Sequence, residues 1–553
     1  MHQYSELSRT ILEKRGLRNK EEIDIFLNPD YERDLHNPFE MKDMEKACVK
    51  LFEVIENKEK TVIYADYDCD GIPGAVILGD LFKKVGYKNY EVYIPSRNSE
   101  GYGLNLEAIE KFIKRGVKLL ITIDLGITAV SEVAQAEVGG VDVIITDHHI
   151  PPLVLPRAFA ILNPKTDKYS EKMLCGAGVV FKFVQGFVEK YGEFYKINKG
   201  WEKWLLDMAG LATLSDLVPL LGENRAMAYF GMKVLRKSPR PGLQKLLKKI
   251  NINQRYLTED DIGFMVTPRI NAASRMDDPM RAYELLKEDD EVKAGIAADY
   301  LSKINDDRKN LVTSIMREAN KKFKNSSLYE EKKVIVIGNP RWRVGVLGLV
   351  AGKMSDEYKK PVFVWGKDEN DFIKGSCRSD GSVSLVELMM ETNEFFIDFG
   401  GHEFAGGFTV HTDKIHFLED ALSVSFEKVK REKVEDEILY DIKSDLSMVN
   451  MKSWNEIEHL APFGLGNPKP IFFFEGIKVE KIKKFGKNGS GEHLEITFGD
   501  ISGNKIKAVS FFSNTESFEV SLSEGIRINL FATFDLSRFG RKTELRLRIV
   551  DII

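Results

Sequence analysis

No two of the four cysteines, Cys48, Cys69, Cys175 and Cys377, lie close enough in sequence to form a C-x-x-C pair. That spacing argues against a zinc knuckle and a disulfide framework, and it leaves free thiols. A surplus of positive charge is also missing, since 80 lysines and arginines stand against 85 aspartates and glutamates for a net charge of −5. The chain as a whole lacks the basic signature of a nucleic-acid binder, so any such binding must come from local patches. No segment approaches the ~20 consecutive apolar residues of a membrane helix. The opening "MHQYSELSRTILEKRG" has neither a long apolar stretch nor a cleavage-like site, which argues against a secretory signal. Repeats and low-complexity tracts are absent as well. The expectation is a cytoplasmic protein with no membrane partner. At 553 residues it is too long for one ordinary domain of roughly 100–200.

What is present comes in blocks. From residue 60 to 165 the apolar runs "TVIYAD", "YEVYIP", "LLITID", "VDVIIT" and "AFAILN" alternate with helical patterns, which predicts a parallel sheet covered on both faces. Residues 170–260 read as mostly helical. Residues 281–325 form one long helical stretch with Ala297, Leu301, Ile304, Leu311, Ile315, Ala319 and Phe323 on one face. A second α/β unit follows, with "KVIVIG", "PVFVWG" and "FIKGSCRS" as strands. From residue 435 onward, short strands with polar turns predict a small barrel of the type that often binds oligonucleotides. The resulting division is an N-terminal segment 1–44, an α/β parallel-sheet domain 45–240, a helical connector 241–330, a second α/β domain 331–430 and an OB-type β-barrel 431–553.

Carboxylates gather where the first strands end. In "IYADYDCDG" (63–71), Asp66, Asp68 and Asp70 alternate after an apolar run, and Gly71 offers a turn. On a strand, alternate side chains share a face at ~7 Å intervals. Three such carboxylates repel one another unless something cationic lies among them. Taken singly, each is as well explained as a helix N-cap. The pattern recurs, however: "ITID" ends at Asp124 and "IITDHH" at Asp147, His148 and His149. The carboxyl ends of parallel strands share one edge, where ligands bind, so these acids are expected to converge. Asp216 in "ATLSDLVPL" is either a fourth acid at that edge or a helix cap. Oxygen ligands with one or two imidazoles suit Mn²⁺, and also Mg²⁺. Two such ions ~3.5–4 Å apart would activate a water and stabilise in-line displacement at phosphorus.

With "DYDCDG", "ITIDLGI", "TDHH" and "SDLVPL" in this order and spacing, the chain resembles the DHH phosphoesterase family. Within it, "PSRNSEGYGLN", "PRINAASRM", "GSCRS", "GGHEFAGG" and "PFGLGNPKP" make it similar to the branch of single-strand-specific 5′ to 3′ exonucleases. The resemblance implies hydrolysis of single-stranded DNA to 5′-mononucleotides in DNA repair and recombination. It implies two ions, Mn²⁺ or Mg²⁺, held by Asp68, Asp70, Asp124, His148 and Asp216. Asp66 either ligates a metal or supports one, while Asp147 and His149 orient the site or touch phosphate. Arg97, Arg275, Ser376 and Arg378 are implied around a terminal 5′ phosphate, a role for which arginine's planar fork is suited. His402 is implied as a donor in a glycine-rich substrate loop. Single-stranded-DNA-binding protein and a RecQ-type helicase are the implied partners, and a monomer is the default. Alternatives within the family act on short RNA or cyclic dinucleotides, and a non-catalytic DNA-binding relative would need substituted ligands. The chain departs from the family pattern at Cys69, Leu125, Ser274 and Gly406; of these, Ser274 stands beside Arg275 and is the one expected to narrow or reorient the phosphate site.

In the last domain, Lys478, Lys481, Lys483, Lys484 and Lys487 cluster around Phe485, and Arg538, Arg541, Lys542, Arg546 and Arg548 around Phe539. Basic side chains interleaved with rings suit a single strand, with charge for its backbone and stacking for its bases. The plainer reading of each run is a solvated face.

Overall fold

The computed structural model describes residues 5–97, 99–325, 331–431, 439–486, 493–500, 502–518, 520–538 and 543–553. They fall into two compact units. One comprises Met1–Leu35, Pro219–Tyr229 and Glu435–Ile553, and the other His36–Val218 and Phe230–Val434.

The larger unit is built on two sheets. The first consists of β1 (Thr61–Ala65), β2 (Tyr90–Tyr93), β3 (Leu119–Ile123), β4 (Asp142–Thr146) and β5 (Ala160–Leu162) in the order β2-β1-β3-β4-β5. All its pairings are parallel. Strands β1 and β3 are buried along their whole length, as expected for a sheet covered on both faces. The second sheet holds β6 (Ile335–Gly338), β7 (Val362–Lys367), β8 (Ile373–Arg378), β9 (Phe396–Gly401) and β10 (Ala405–Val410), ordered β6-β7-β8-β10-β9. Between the two sheets in sequence runs the helix Glu291–Lys324, whose 34 residues span ~50 Å at 1.5 Å each. It packs on the helices Pro241–Lys249 and Thr267–Met276. Its last part, from Val312 to Phe323, enters the core of the second sheet. Ala298 and Val312 are buried on it, where the sequence pattern favours Ala297 and Leu311. The other five positions of the expected stripe, Leu301, Ile304, Ile315, Ala319 and Phe323, are buried.

The smaller unit is a barrel. Strands β12 (Phe472–Phe485), β13 (His493–Gly499), β14 (Lys505–Phe511), β16 (Glu544–Ile552) and β15 (Arg527–Ser537) follow one another, and β15 closes onto β12. Strand β11 (Ile442–Ser444) adds in parallel to β12. The sequence pattern sets residues 1–44 apart as one segment, but the structure divides them between the units. Leu7, Ile11, Leu12, Ile23, Phe26 and Leu27 join Phe472, Phe474 and Phe498 in the barrel's core. An amphipathic helix needs such a partner for its apolar stripe. In the same unit, "PFGLGNPKP" is a structural knot. Asn467 Nδ2 donates to the carbonyls of Leu460 and Pro462, while the Arg225 guanidinium donates to those of Phe26, Leu460, Ala461 and Pro462.

Candidate metal and phosphate site

The three aspartates do not lie on a strand. β1 ends at Ala65, and Asp70 is the N-cap of the helix Gly71–Val85, so the alternation in "DYDCD" belongs to a tight strand-to-helix turn. Nor does Gly71 serve a bend. A Cβ there would lie 2.5 Å from the Asp66 carbonyl oxygen, so glycine is required for the close approach of helix and turn. Asp68 Oδ1 accepts from the N–H groups of Asp70 (2.8 Å) and Gly71 (3.3 Å), so Asp68 performs the capping. Asp70 is engaged elsewhere, accepting from the N–H groups of Gly176 (2.6 Å) and Ala177 (2.7 Å) at the start of the helix Gly176–Tyr191. "CGAGVV" thus orients a carboxylate, and a Cβ on Gly176 would lie 2.6 Å from that of Asp124.

Around this turn the predicted acids converge. Asp66, Asp68 and Asp124 form one group, Asp70, His148 and Asp216 a second, and Asp124, His148 and His149 a third, each with donor atoms within 4.8 Å of one another. His148 Nε2 lies 3.1 Å from Asp124 Oδ1 and 3.8 Å from Asp216 Oδ2. Asp124 adopts a left-handed backbone, φ 62°, a strain of ~1–3 kcal/mol that surrounding structure must hold. Asp147 stands behind the site. It accepts from the N–H groups of Ile127, His148 and His149 and from His149 Nδ1 at 2.8 Å.

The electrostatics follow from crowding. Burial and then Asp68 push the Asp70 carboxyl up to about 7. Burial and then Asp70 push Asp216 up to about 9. Asp66 and Asp124 are held well above the usual range, by burial first and then by Asp68 and Asp70 respectively. Burial takes His148 down to about 3. For His149 burial acts downward, but the bond to Asp147 outweighs it and raises the imidazole. Asp66 Oδ1 and Asp124 Oδ1 are buried without a hydrogen-bond partner. Orphaned carboxylate oxygens among crowded acids and a neutral imidazole are what a pair of hard divalent cations would satisfy, so the donor set fits Mn²⁺ or Mg²⁺. Without metal, the raised carboxyls bind more protons folded than unfolded, so stability must fall as pH rises from the unfolded carboxylate range through 7 and 9. Each retained proton contributes up to about 1.4 kcal/mol per pH unit. In chelator, the melting temperature should drop by several degrees between pH 6 and pH 8. Mn²⁺ should flatten that slope, and an equal slope with and without the ion would reject the assignment.

A second cluster is cationic. The Arg97 guanidinium lies over the Tyr67 ring at 5.0 Å, and Asn271 Oδ1 accepts from Cys69 N–H at 2.8 Å. The residues between the aspartates therefore tie the acid cluster to the arginine-bearing elements. Arg275 is pushed down to about 9 by burial and by the like charges of Arg97, Arg308 and Arg378. Arg275 donates to the Gly345 carbonyl (3.3 Å), Arg308 to Asn305 Oδ1 (3.0 Å) and Arg378 to the Cys377 carbonyl (2.7 Å). These are neutral acceptors, which leaves the positive charge to attract an anion. Ser376 and Arg378 on β8 pair in register with the small Gly407 and Ala405 on β10 and with Val364 and Val362 on β7, and both are partly buried under the helix Leu347–Tyr358. A Cβ on Gly348 would lie 3.1 Å from Arg378 Nη2 and 3.5 Å from Ser376 Oγ.

Three expectations change here. "GGHEFAGG" is the β9–β10 hairpin rather than a loop. His402 is exposed at its turn and makes no hydrogen bond or ion pair with the acids or arginines among the described residues. Ser274 is buried, and its hydroxyl donates to the Asn271 carbonyl of its own helix (3.2 Å), so it does not enter the pocket. Sequence reasoning missed Arg308, which is one more polar residue on a long helix, and Tyr102, whose hydroxyl donates to the Asp124 carbonyl (3.2 Å) and lies 3.4 Å from the His149 ring nitrogens. The flanking glycines of "GYG" were the available signal for Tyr102, since Gly101 and Gly103 have φ of 83° and 92°.

Acids and imidazoles at the carboxyl edge of a parallel sheet, with an anion pocket joined to them by one turn, define the DHH phosphoesterase class. The chain matches the DHH family N-terminal domain over residues 60–213, the DHHA1 domain over 331–430 and the RecJ OB domain over 440–551. It is 33% identical over 551 residues to the single-stranded-DNA-specific exonuclease RecJ of Bacillus subtilis, covering 99% of this chain and 67% of that protein. It superposes on RecJ of Thermus thermophilus in complex with Mn²⁺ with a TM-score of 0.81 at 24% identity, covering 99% of this chain and 76% of that one. A crystal structure of exonuclease RecJ bound to manganese matches with a TM-score of 0.63 at 27% identity, over 73% of this chain and 99% of that one. The chain belongs to the RecJ family.

Proposed function

We propose that this chain is a single-stranded-DNA-specific exonuclease that degrades from the 5′ end and releases 5′-mononucleotides by metal-dependent phosphodiester hydrolysis in DNA repair and recombination. The observation that carries this reading is the "DYDCD" turn, which holds the acid cluster through its aspartates and the arginine cluster through Tyr67 and Cys69. A hydrolytic centre at a fixed distance from an anion site can recognise a chain end. Asp66, Asp68, Asp70, Asp124, His148 and Asp216 would hold the ions, which supply charge neutralisation and Lewis acidity when bound. His149, kept protonatable by Asp147, is the group able to hold a proton beside the cluster. Arg97, Arg275, Ser376 and Arg378, with Arg308, would receive the terminal phosphate, and His402 would reach the strand from its hairpin.

Strand binding is assigned to the barrel. Phe485, His493 and Phe511 stand in register across β12, β13 and β14, with Phe512 beside His493 and largely exposed. The Arg546 and Arg548 guanidiniums lie over the Phe511 ring at 5.7 and 5.5 Å. Rings bordered by guanidinium groups form a stacking platform. Lys487, Phe539, Arg541 and Lys542 lie outside the described residues. We assign hydrolysis to residues 45–240, end recognition to 241–430 and strand binding to 431–553. No helix among the described residues is long and apolar enough to cross a membrane. Work in the cytoplasm as a monomer, with single-stranded-DNA-binding protein and a RecQ-type helicase as partners, completes the proposal.

The deciding assay supplies 5′-phosphorylated single-stranded DNA with Mn²⁺, the ion of the manganese-bound RecJ relative, beside the same DNA as duplex, short RNA and cyclic dinucleotides. Mononucleotides released from the single strand alone are expected. Preferential cleavage of short RNA or cyclic dinucleotides would reject the reading, as would DNA binding without turnover.

A further inference from the structure

The His148–His149 dipeptide lies just beyond β4, where no strand or helix accounts for its backbone polar groups. Buried backbone groups must nevertheless be paired, and side chains pair all four. Asp147 receives both N–H groups. On the opposite side, Asn163 Nδ2 donates to the His149 carbonyl at 3.0 Å and the Lys165 ammonium to the His148 carbonyl. Asn163 is fully buried. It also shapes its own turn, since Asn163 Oδ1 accepts from Lys165 N–H (2.9 Å) and its carbonyl accepts from Thr166 Oγ1 (2.8 Å). The turn is braced from outside by Lys172, whose ammonium donates to the Pro164 carbonyl at 2.9 Å. Because β5 pairs with β4 in parallel, the turn that leaves β5 is carried to the flank of the turn that leaves β4.

We infer that Asn163 and Lys165 are positioning residues for the metal centre: they grip the carbonyls of His148 and His149 against the hold of Asp147 and so set both imidazoles. This rests on the metal-dependent reading above. Outer partners of metal ligands typically contribute 10–100-fold in affinity or activity by fixing ligand orientation. Lys165 adds a second effect, since its charge also favours the ionised form of Asp216.

The test is titration calorimetry of Mn²⁺ into the full chain, with Asn163→Ala, Lys165→Met and Lys165→Arg. The first two should weaken Mn²⁺ binding by roughly 10–100-fold. Affinity for 5′-phosphorylated single-stranded DNA in chelator should stay put in both. The melting temperature in chelator should fall for Asn163→Ala, which leaves the buried His149 carbonyl unpaired at a cost of roughly 1–3 kcal/mol, and fall less for Lys165→Met. The loss of Mn²⁺ affinity in Lys165→Met is therefore the readout that general loosening of the fold would not give. Lys165→Arg, which keeps charge and donors, should recover most of the binding. Raising Mn²⁺ should restore kcat in Lys165→Met with KM for DNA unchanged. If Asn163→Ala does not fold, the partly exposed Lys165 decides alone. Folded Lys165→Met with the Mn²⁺ affinity of the unsubstituted chain would overturn the inference. If the unsubstituted chain takes up no Mn²⁺, the metal reading falls first and this one with it.

Discussion

Asp68→Asn should lower kcat by at least ~10³-fold, the equivalent of about 4 kcal/mol of transition-state stabilisation, while the chain stays folded. Asparagine keeps an oxygen where Asp68 Oδ1 accepts from the N–H groups of Asp70 and Gly71, so the turn and the helix start survive. What disappears is one carboxylate charge from the group formed with Asp66 and Asp124, and with it a ligand proposed for the ions that would support the displacement. Asp68→Ala would be a less clean choice, because it also removes the cap, typically ~1 kcal/mol. Single-turnover hydrolysis of a 5′-phosphorylated oligonucleotide at saturating Mn²⁺, read beside the circular dichroism melt, measures both halves of the expectation. Full activity in a purified, folded Asp68→Asn chain would reject the metal site.

Arg378→Ala should reduce the preference for 5′-phosphorylated over 5′-hydroxyl substrate by about 10–100-fold, because hydrogen bonds to a charged group contribute roughly 1.5–3 kcal/mol. Arg378 is the better probe than Arg275. Arg275 is the more deeply buried of the two, among other guanidiniums, whereas Arg378 is partly buried on β8 between the small Ala405 of β10 and Val362 of β7. Its removal should therefore take away a proposed phosphate contact at a smaller cost to packing than removal of Arg275. Arg378→Lys should fall between the two, keeping the charge and losing the fork. The ratio of kcat/KM for the two substrates is the measurement, and an unchanged ratio would remove the pocket from the account.

Much of the site is legible in the sequence because apolar strands end abruptly in acids. A run such as "LLITID" ends in an acid where its strand ends, and the recurrence of that change at several strands marks Asp124 and Asp147 as lying at one sheet edge, although both are themselves buried there. Asp216 is different. It follows a helix, Leu206–Ser215, that is buried almost throughout, and only its resemblance to a known motif singles it out. Arg308 is silent for a related reason: on a helix whose period is met by its apolar stripe, nothing marks one polar position above the next. The clamp on the two histidines is equally silent. Asn163 and Lys165 stand in an ordinary-looking "NPKT" turn, and only the pairing of β5 with β4 brings them to the dipeptide they hold.

Hydrophobic periodicity, residue type and order along the chain were enough to declare a parallel sheet, a long helix, a second sheet's first strands and a barrel, since each element shows in the local pattern of its own segment. Tertiary structure alone decided which carboxylate caps and which is oriented by a distant helix start, that the glycine-rich segment is a hairpin set against Ser376 and Arg378, and that the first helices complete the barrel's core. These are outcomes of groups meeting across long stretches of chain, where the free energy comes from mutual desolvation and charge, and neither is written in the local pattern of either partner.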